Sequence, residues 1–243
     1  MKQLFTLGIV LMAIALHAQT ADEIINKHFE ATGGHDKWAK VTSLKYTGTY
    51  TIGPGMQAPV TQVVTSKPFT GLYSDFSWQG MTAKTVMQGD SGWSYRPFQG
   101  KRETDPLSPN EIRSISLDAD PQGLLFNYKE KGYTVDYLGT DDMDGSDVYK
   151  LRLQTKNGDM VYYYIDQETY YVLKTETRIR LKDKEEKSYT TYSDFKKTDY
   201  GIVLPFSEQN VDADGNEQGG PTNYTKIEVN AAVDASIFDK LKK

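Results

Sequence analysis

The chain has 243 residues, a formal charge of −5 from 33 acidic and 28 basic side chains, and no cysteine. Lysines scattered among carboxylates in an acidic chain argue against nucleic acid and against an anionic membrane surface as partners. Without cysteine there is no disulfide, and no lipid anchor of the kind bacterial lipoproteins carry on a cysteine directly after the leader.

Residues 1–19 begin with the basic Lys2, run apolar from Leu4 to Leu16 and end on small or polar residues, the pattern of a secretory signal peptide. That run is too short to span a bilayer. The expectation is an exported, periplasmic protein that is not lipid-anchored, with one domain over 20–243. A mature chain of roughly 220 residues buries a sufficient core without staples, and a monomer is expected.

Residues 21–32, ADEIINKHFEAT, put Ile24, Ile25, His28 and Phe29 at helical spacing before a stop at Gly33-Gly34. A short turn follows with Trp38 directed inward. From Ser43 the period becomes two, predicting strands at 43–52, 60–66, 71–78, 82–88 and 92–97. Residues 105–132 then break the pattern. Ser108-Pro109-Asn110-Glu111 has the form of a capping box with proline at the first helical position. Asp120-Pro121 is expected to start a second helix carrying Leu124, Leu125, Phe126 and Tyr128.

The second half alternates again, predicting strands at 134–139, 148–154, 160–165, 171–181, 185–195, 202–211 and 222–229, before a last turn capped by Ser236 that contains Ile237 and Phe238. The fold class expected is mainly β with helices. A sheet of about eleven antiparallel strands must curl or close. Helices inside the curl would make an unclosed half-barrel with a plug or lid.

Catalytic motifs are missing: no cysteine nucleophile, no GxSxG, no HExxH and no glycine-rich phosphate loop. Of three histidines one lies in the leader, and His28 and His35 lack a third metal ligand. Asp212 to Asn216 imitates the first half of a calcium loop, but Glu217 and Asn223 stand where glycine and a bidentate glutamate are needed. Asp141, Asp142, Asp144 and Asp147 read as a solvated turn around Gly145, and no carboxylate pair is singled out. No enzyme activity, metal or cofactor is expected.

Aromatic and apolar residues, by contrast, are abundant around the insert. Within each of the pairs Phe76/Trp78 and Trp93/Tyr95 the rings face the same way along their strand. Tyr73 lies on the strand of the first pair, and Leu124, Leu125 and Phe126 come from the insert. Such a cluster is either a filled core or the lining of an apolar cavity for a long acyl chain. In the second case each buried methylene contributes about 0.8 kcal/mol, so no specific polar contact is required.

The segment from Ser66, SKPFTGLYSDFSW followed by MQGDSGWSYRPFQGK, resembles the outer-membrane lipoprotein-sorting carrier family with the LolA-like fold. Lys67-Pro68 and Tyr73 fall on its basic-proline and aromatic-strand elements, and Gly89 to Phe98 on its tryptophan-tyrosine-proline hairpin. The opening ADEIINKHFEATGG, the hairpins VDYLGTDDMDGSDVYKLRL and YYIDQETY and the ending VDASIFDK are similar to the Bacteroidetes-type branch. The resemblance covers most of the mature chain. It implies an unclosed antiparallel barrel with inner helices as a lid, carrying lipid or lipoprotein acyl chains through the periplasm. An inner-membrane release complex and an outer-membrane acceptor are the implied partners. It also gives lid control to the position of Lys67, where the family has arginine with its planar fork. Envelope-state sensors share the fold, and a sensor or adaptor role is the alternative it implies.

Overall fold

A computed structural model describes residues 20–67, 69–100, 102–180, 185–212, 214–217 and 219–239; residues 1–19, where the signal peptide is expected, Pro68, Leu181 and Ala213 lie outside them. The chain opens on helix α1 (Ala21–Ala31) and the single turn α2 (His35–Trp38). Thr20 and Glu23 cap α1 reciprocally, Glu23 N donating to Thr20 Oγ1 at 3.2 Å and Thr20 N to Glu23 Oε2 at 2.8 Å. Ile24, Ile25 and Phe29 form its buried stripe, and Trp38 is buried beside them.

Five strands follow: β1 (Ser43–Gly53), β2 (Met56–Thr65), β3 (Gly71–Trp78), β4 (Met81–Gln88) and β5 (Ser91–Tyr95). A two-residue strand β6 (Asp105–Pro106) leads into α3 (Pro109–Ser116), which opens on the expected Ser108–Glu111 capping box. The remaining strands are β7 (Thr134–Met143), β8 (Ser146–Gln154), β9 (Met160–Asp166), β10 (Val172–Arg180), β11 (Glu185–Lys197), β12 (Val203–Asp212) and β13 (Thr222–Val229). They build one 13-stranded antiparallel sheet in the order β6-β5-β4-β3-β2-β1-β13-β12-β11-β10-β9-β8-β7. Its edges β6 and β7 do not pair, so the barrel is unclosed.

The second insert helix does not form; residues 120–132 run as successive turns. Gly123 and Asn127 adopt positive φ of 73° and 47°, which ends any right-handed helix before a second turn completes. At the β7–β8 connection the strands run further than expected. Asp144 and Gly145, both at positive φ (53° and 87°), make a two-residue hairpin that pairs Met143 with Ser146. The last turn is also capped differently: Asp234 Oδ1 accepts from Ser236 N at 2.9 Å, so aspartate rather than Ser236 is the cap.

One core cluster joins Ile24, Phe29 and Trp38 to Leu44 of β1, Tyr224 of β13, Leu204 of β12 and Leu151 of β8. Strands lie about 4.8 Å apart, so β1 and β8, six places apart in the order, would be separated by about 29 Å on a flat sheet. Both reach the same helices because the sheet curls around them. The outer face of the second half is polar and aromatic. Lys150 and Lys174 lie 4.8 and 5.0 Å from the centre of the Tyr164 ring, and Arg178 lies 4.6 Å from that of Tyr162.

Candidate ligand cavity

The insert is held in the curl from three sides. Phe126 packs edge-on against Phe29 at 5.2 Å and stacks on His35 at 4.7 Å between ring centres. Gln122 Nε2 donates to Trp38 O at 2.8 Å, and the Tyr128 hydroxyl to Asp22 Oδ1 at 2.7 Å. Arg113 of α3 makes the third attachment. Its Nε donates to Asp159 Oδ2 at 2.7 Å, and its terminal nitrogens to Asn157 O at 2.8 Å and Arg180 O at 3.1 Å. Asp159 is 1% exposed, so this ion pair is desolvated on the acid's side.

Between insert and sheet lies a cavity of about 440 Å³. One wall is apolar: Phe29, Trp38, Leu44, Val64, Leu124 and Leu125. The other is a polar floor on β10 to β13. Thr175 and Thr190 face each other across the β10–β11 ladder, and Thr190 donates to Asn210 Oδ1 at 2.9 Å. Tyr192 pairs with Glu208 across β11–β12, and Tyr224 donates to Glu208 Oε1 at 2.7 Å. The Tyr46 and Tyr224 rings sit 4.9 Å apart.

Burial raises the Glu208 carboxyl, while the hydroxyl of Tyr224 opposes that shift. Asp118, at the end of the insert's helical turn, is pushed up to about 7, chiefly by removal from bulk water and then by the charge of Glu208. Asp118 is exposed by surface area and lines the cavity together with Glu208, and its raised pKa makes it a weaker acid than an ordinary aspartate. The Asp118 carboxylate has no hydrogen-bond or ion-pair partner among the described residues. Asp120, also in the lining, pairs with Lys131 at 2.5 Å. His28 lines the cavity with Nδ1 2.8 Å from Tyr170 O, and burial lowers its pKa. His35 is engaged separately by Phe126 and by Asn127 Oδ1 at 3.3 Å.

The residues singled out in the sequence divide among three places. Leu124 and Leu125 line the cavity, and Phe126 is buried behind them in the plug. Phe76 and Trp78 share the inner face of β3 with Leu72, but lie toward the β3–β4 tip, outside the cavity lining. Phe76 there meets Tyr50 at 5.8 Å and Phe98 at 5.5 Å. Tyr73, Trp93 and Tyr95 are on the outer face. Tyr73 and Trp93 form a core with Val63, Val86 and Phe238, Tyr95 packs against its side, and Trp93 Nε1 donates to Phe238 O at 3.4 Å. Lys67 is exposed, its backbone tied to Thr65; α3 is held by Arg113 on Asp159 and by Arg96, whose guanidinium donates to Glu111 Oε1 at 2.8 Å. Asp212 spends Oδ1 on the backbone N–H groups of Asp214 and Asn216 at 2.9 and 3.0 Å, which makes its loop a turn.

Sequence reasoning missed the polar floor. Its signal is in Lys174-Thr175-Glu176-Thr177-Arg178, where every charge falls on one face and every threonine on the other. A five-residue stretch of strand with no apolar side chain contributes polar groups to whatever its inner face lines.

No family model matches the chain, and no curated protein matches its sequence. Solved structures match its fold. A structure described as an outer membrane lipoprotein-sorting protein domain from Vibrio parahaemolyticus is 14% identical with a TM-score of 0.54, covering 89% of this chain and 95% of that one. A LolA superfamily protein from Nitrosomonas europaea is 17% identical with a TM-score of 0.54, covering 92% and 99%. A DUF1329 family protein from Desulfovibrio piger is 14% identical with a TM-score of 0.57, covering 91% and 98%. At these identities the likeness is one of fold, and the fold of this chain is the curved, unclosed antiparallel half-barrel with inner helices seen in LolA superfamily proteins.

Proposed function

We propose that the protein is a periplasmic carrier that takes the apolar chain of a lipid or lipoprotein into the space between insert and sheet, with no catalytic step. The observation that carries this reading is the cavity of about 440 Å³, one wall of which is formed by Leu124, Leu125, Phe29 and Trp38. Ligand pockets typically measure roughly 300–1,000 Å³ and are apolar with a few placed polar groups. The leader supports an envelope location, and no helix among the described residues is long and apolar enough to cross a membrane. The shared fold with a lipoprotein-sorting domain supports acyl chains as the cargo.

Filling the void tests the reading without removing any core contact. Thr175→Trp places a large side chain in the cavity, and Trp93→Ala serves as the comparison because it alters the opposite face. A neutral fluorescent alkyl probe is expected to bind the parent protein and Trp93→Ala alike, and Thr175→Trp at least about tenfold more weakly. Undiminished binding in a folded Thr175→Trp protein contradicts the proposal.

A further inference from the structure

We infer that the cavity selects an amphiphile whose head is a protonated amine over one whose head is a carboxylate or phosphate. This rests on the carrier reading for the apolar chain and adds the chemistry of the head.

Among the described residues, the lining contains three carboxylates, Asp118, Asp120 and Glu208, one histidine, His28, whose pKa burial lowers, and no lysine or arginine. Asp120 is already neutralised by Lys131 at 2.5 Å. Asp118 has no partner among the described residues, and Glu208 has only the neutral Tyr224 hydroxyl on one oxygen, at 2.7 Å. The two acids line the same cavity and feel each other's charge. A cation placed between them supplies the counter-charge that the chain itself does not provide. A carboxylate or phosphate would add negative charge beside two acids that already resist ionising.

The surrounding groups fit the same head. Tyr46, Tyr192 and Tyr224 bring aromatic rings to the acids' side of the cavity, and ammonium groups are attracted to such faces. Thr175, Thr190 and Asn210 supply further oxygen acceptors to an N–H donor. Opposite them, Leu124, Leu125, Phe29 and Trp38 leave the chain an apolar wall. The cavity is thus amphipathic, with Glu208 on the sheet floor and the leucines on the plug.

The test uses three probes of equal chain length, dodecylamine, dodecanol and dodecanoate, titrated below their micellar concentrations against displacement of a neutral fluorescent probe at neutral pH. For the parent protein, dodecylamine is expected to bind at least about tenfold more tightly than dodecanoate, with dodecanol between them. Asp118→Asn and Asp118→Asn/Glu208→Gln are expected to reduce the ratio of dodecylamine to dodecanoate affinity stepwise. Asp118→Asn alters an accessible side chain, so a misfolded double variant would still leave one interpretable substitution. Dodecylamine binding no tighter than dodecanoate overturns the inference while leaving the carrier reading intact. So does a preference that survives both substitutions, which would place the amine on the acidic outer surface. Failure of all three probes to bind overturns the carrier reading as well.

Discussion

Asp118 titrates unlike an ordinary surface aspartate. Its carboxyl is raised from the ordinary 3.8 to about 7, first by desolvation and then by Glu208. The folded protein therefore holds this proton more tightly than the unfolded chain, and ionising Asp118 costs stability as pH rises between those values. Glu208 is shifted in the same direction by burial, with the Tyr224 hydroxyl opposing it. Asp118→Asn is expected to leave stability unchanged at about pH 4 and to raise it at about pH 8, as chemical denaturation at the two pH values would show. A variant less stable than the parent at the higher pH contradicts the assigned shift. Arg113 makes the opposite case, because its partner Asp159 is buried and pairs with it at 2.6 Å. Arg113→Ala strands that carboxylate, with an expected loss of about 3 kcal/mol in denaturant unfolding. Loss below about 0.5 kcal/mol would mean the pair behaves like an exposed one.

The insert behaves as a plug because its turns, rather than a second helix, present Leu124, Leu125 and Phe126 in succession to the core. Alternating helical contacts could not put three adjacent side chains inward; the positive φ values at Gly123 and Asn127 on either side of them allow it. Phe126→Ala is expected to cost about 3–5 kcal/mol, since the ring meets Phe29 and His35 and the space cannot collapse around them. Calorimetric melting would register it as a fall of several degrees, and an unchanged melting temperature would contradict the packing described.

At this scale it is also plain what was legible in the sequence. Period-two runs bounded by turn residues marked nearly every strand, and Ser108-Pro109-Asn110-Glu111 marked α3, because these signals are local. Trp93 and Phe76 were not separable that way. Each is an inward-or-outward choice fixed by register with the neighbouring strand: Trp93 opposite Val86, Phe76 opposite Ala83. The two pairs therefore fell on opposite faces, though each pair kept its common direction. The site's acids were illegible for a related reason. Asp118 and Glu208 are 90 positions apart in chain numbering and meet only because the sheet curls.

For the whole molecule, the curl has one thin seam. Among the described residues, β12 and β13 pair only at Ser207–Asn223 and Glu208–Thr222, where every neighbouring long strand pair carries a longer ladder. Glu208 thus sits at the junction of the two halves of the sheet and on the cavity floor at once. A ligand bridging the apolar wall and this floor contacts both halves, so binding is expected to slow hydrogen exchange at the β12–β13 seam more than at the β3–β4 hairpin.

Where an alkyl chain lodges is the most direct question the molecule poses. A nitroxide-labelled alkyl probe with an uncharged head, added to isotope-labelled protein, broadens the amide signals nearest it. The cavity predicts broadening at Leu124, Leu125, Thr175 and Thr190, with the outer-face cluster of Tyr73, Trp93 and Phe238 left sharp. Broadening centred on that outer cluster, or spread evenly over the surface, would contradict the cavity as the binding site.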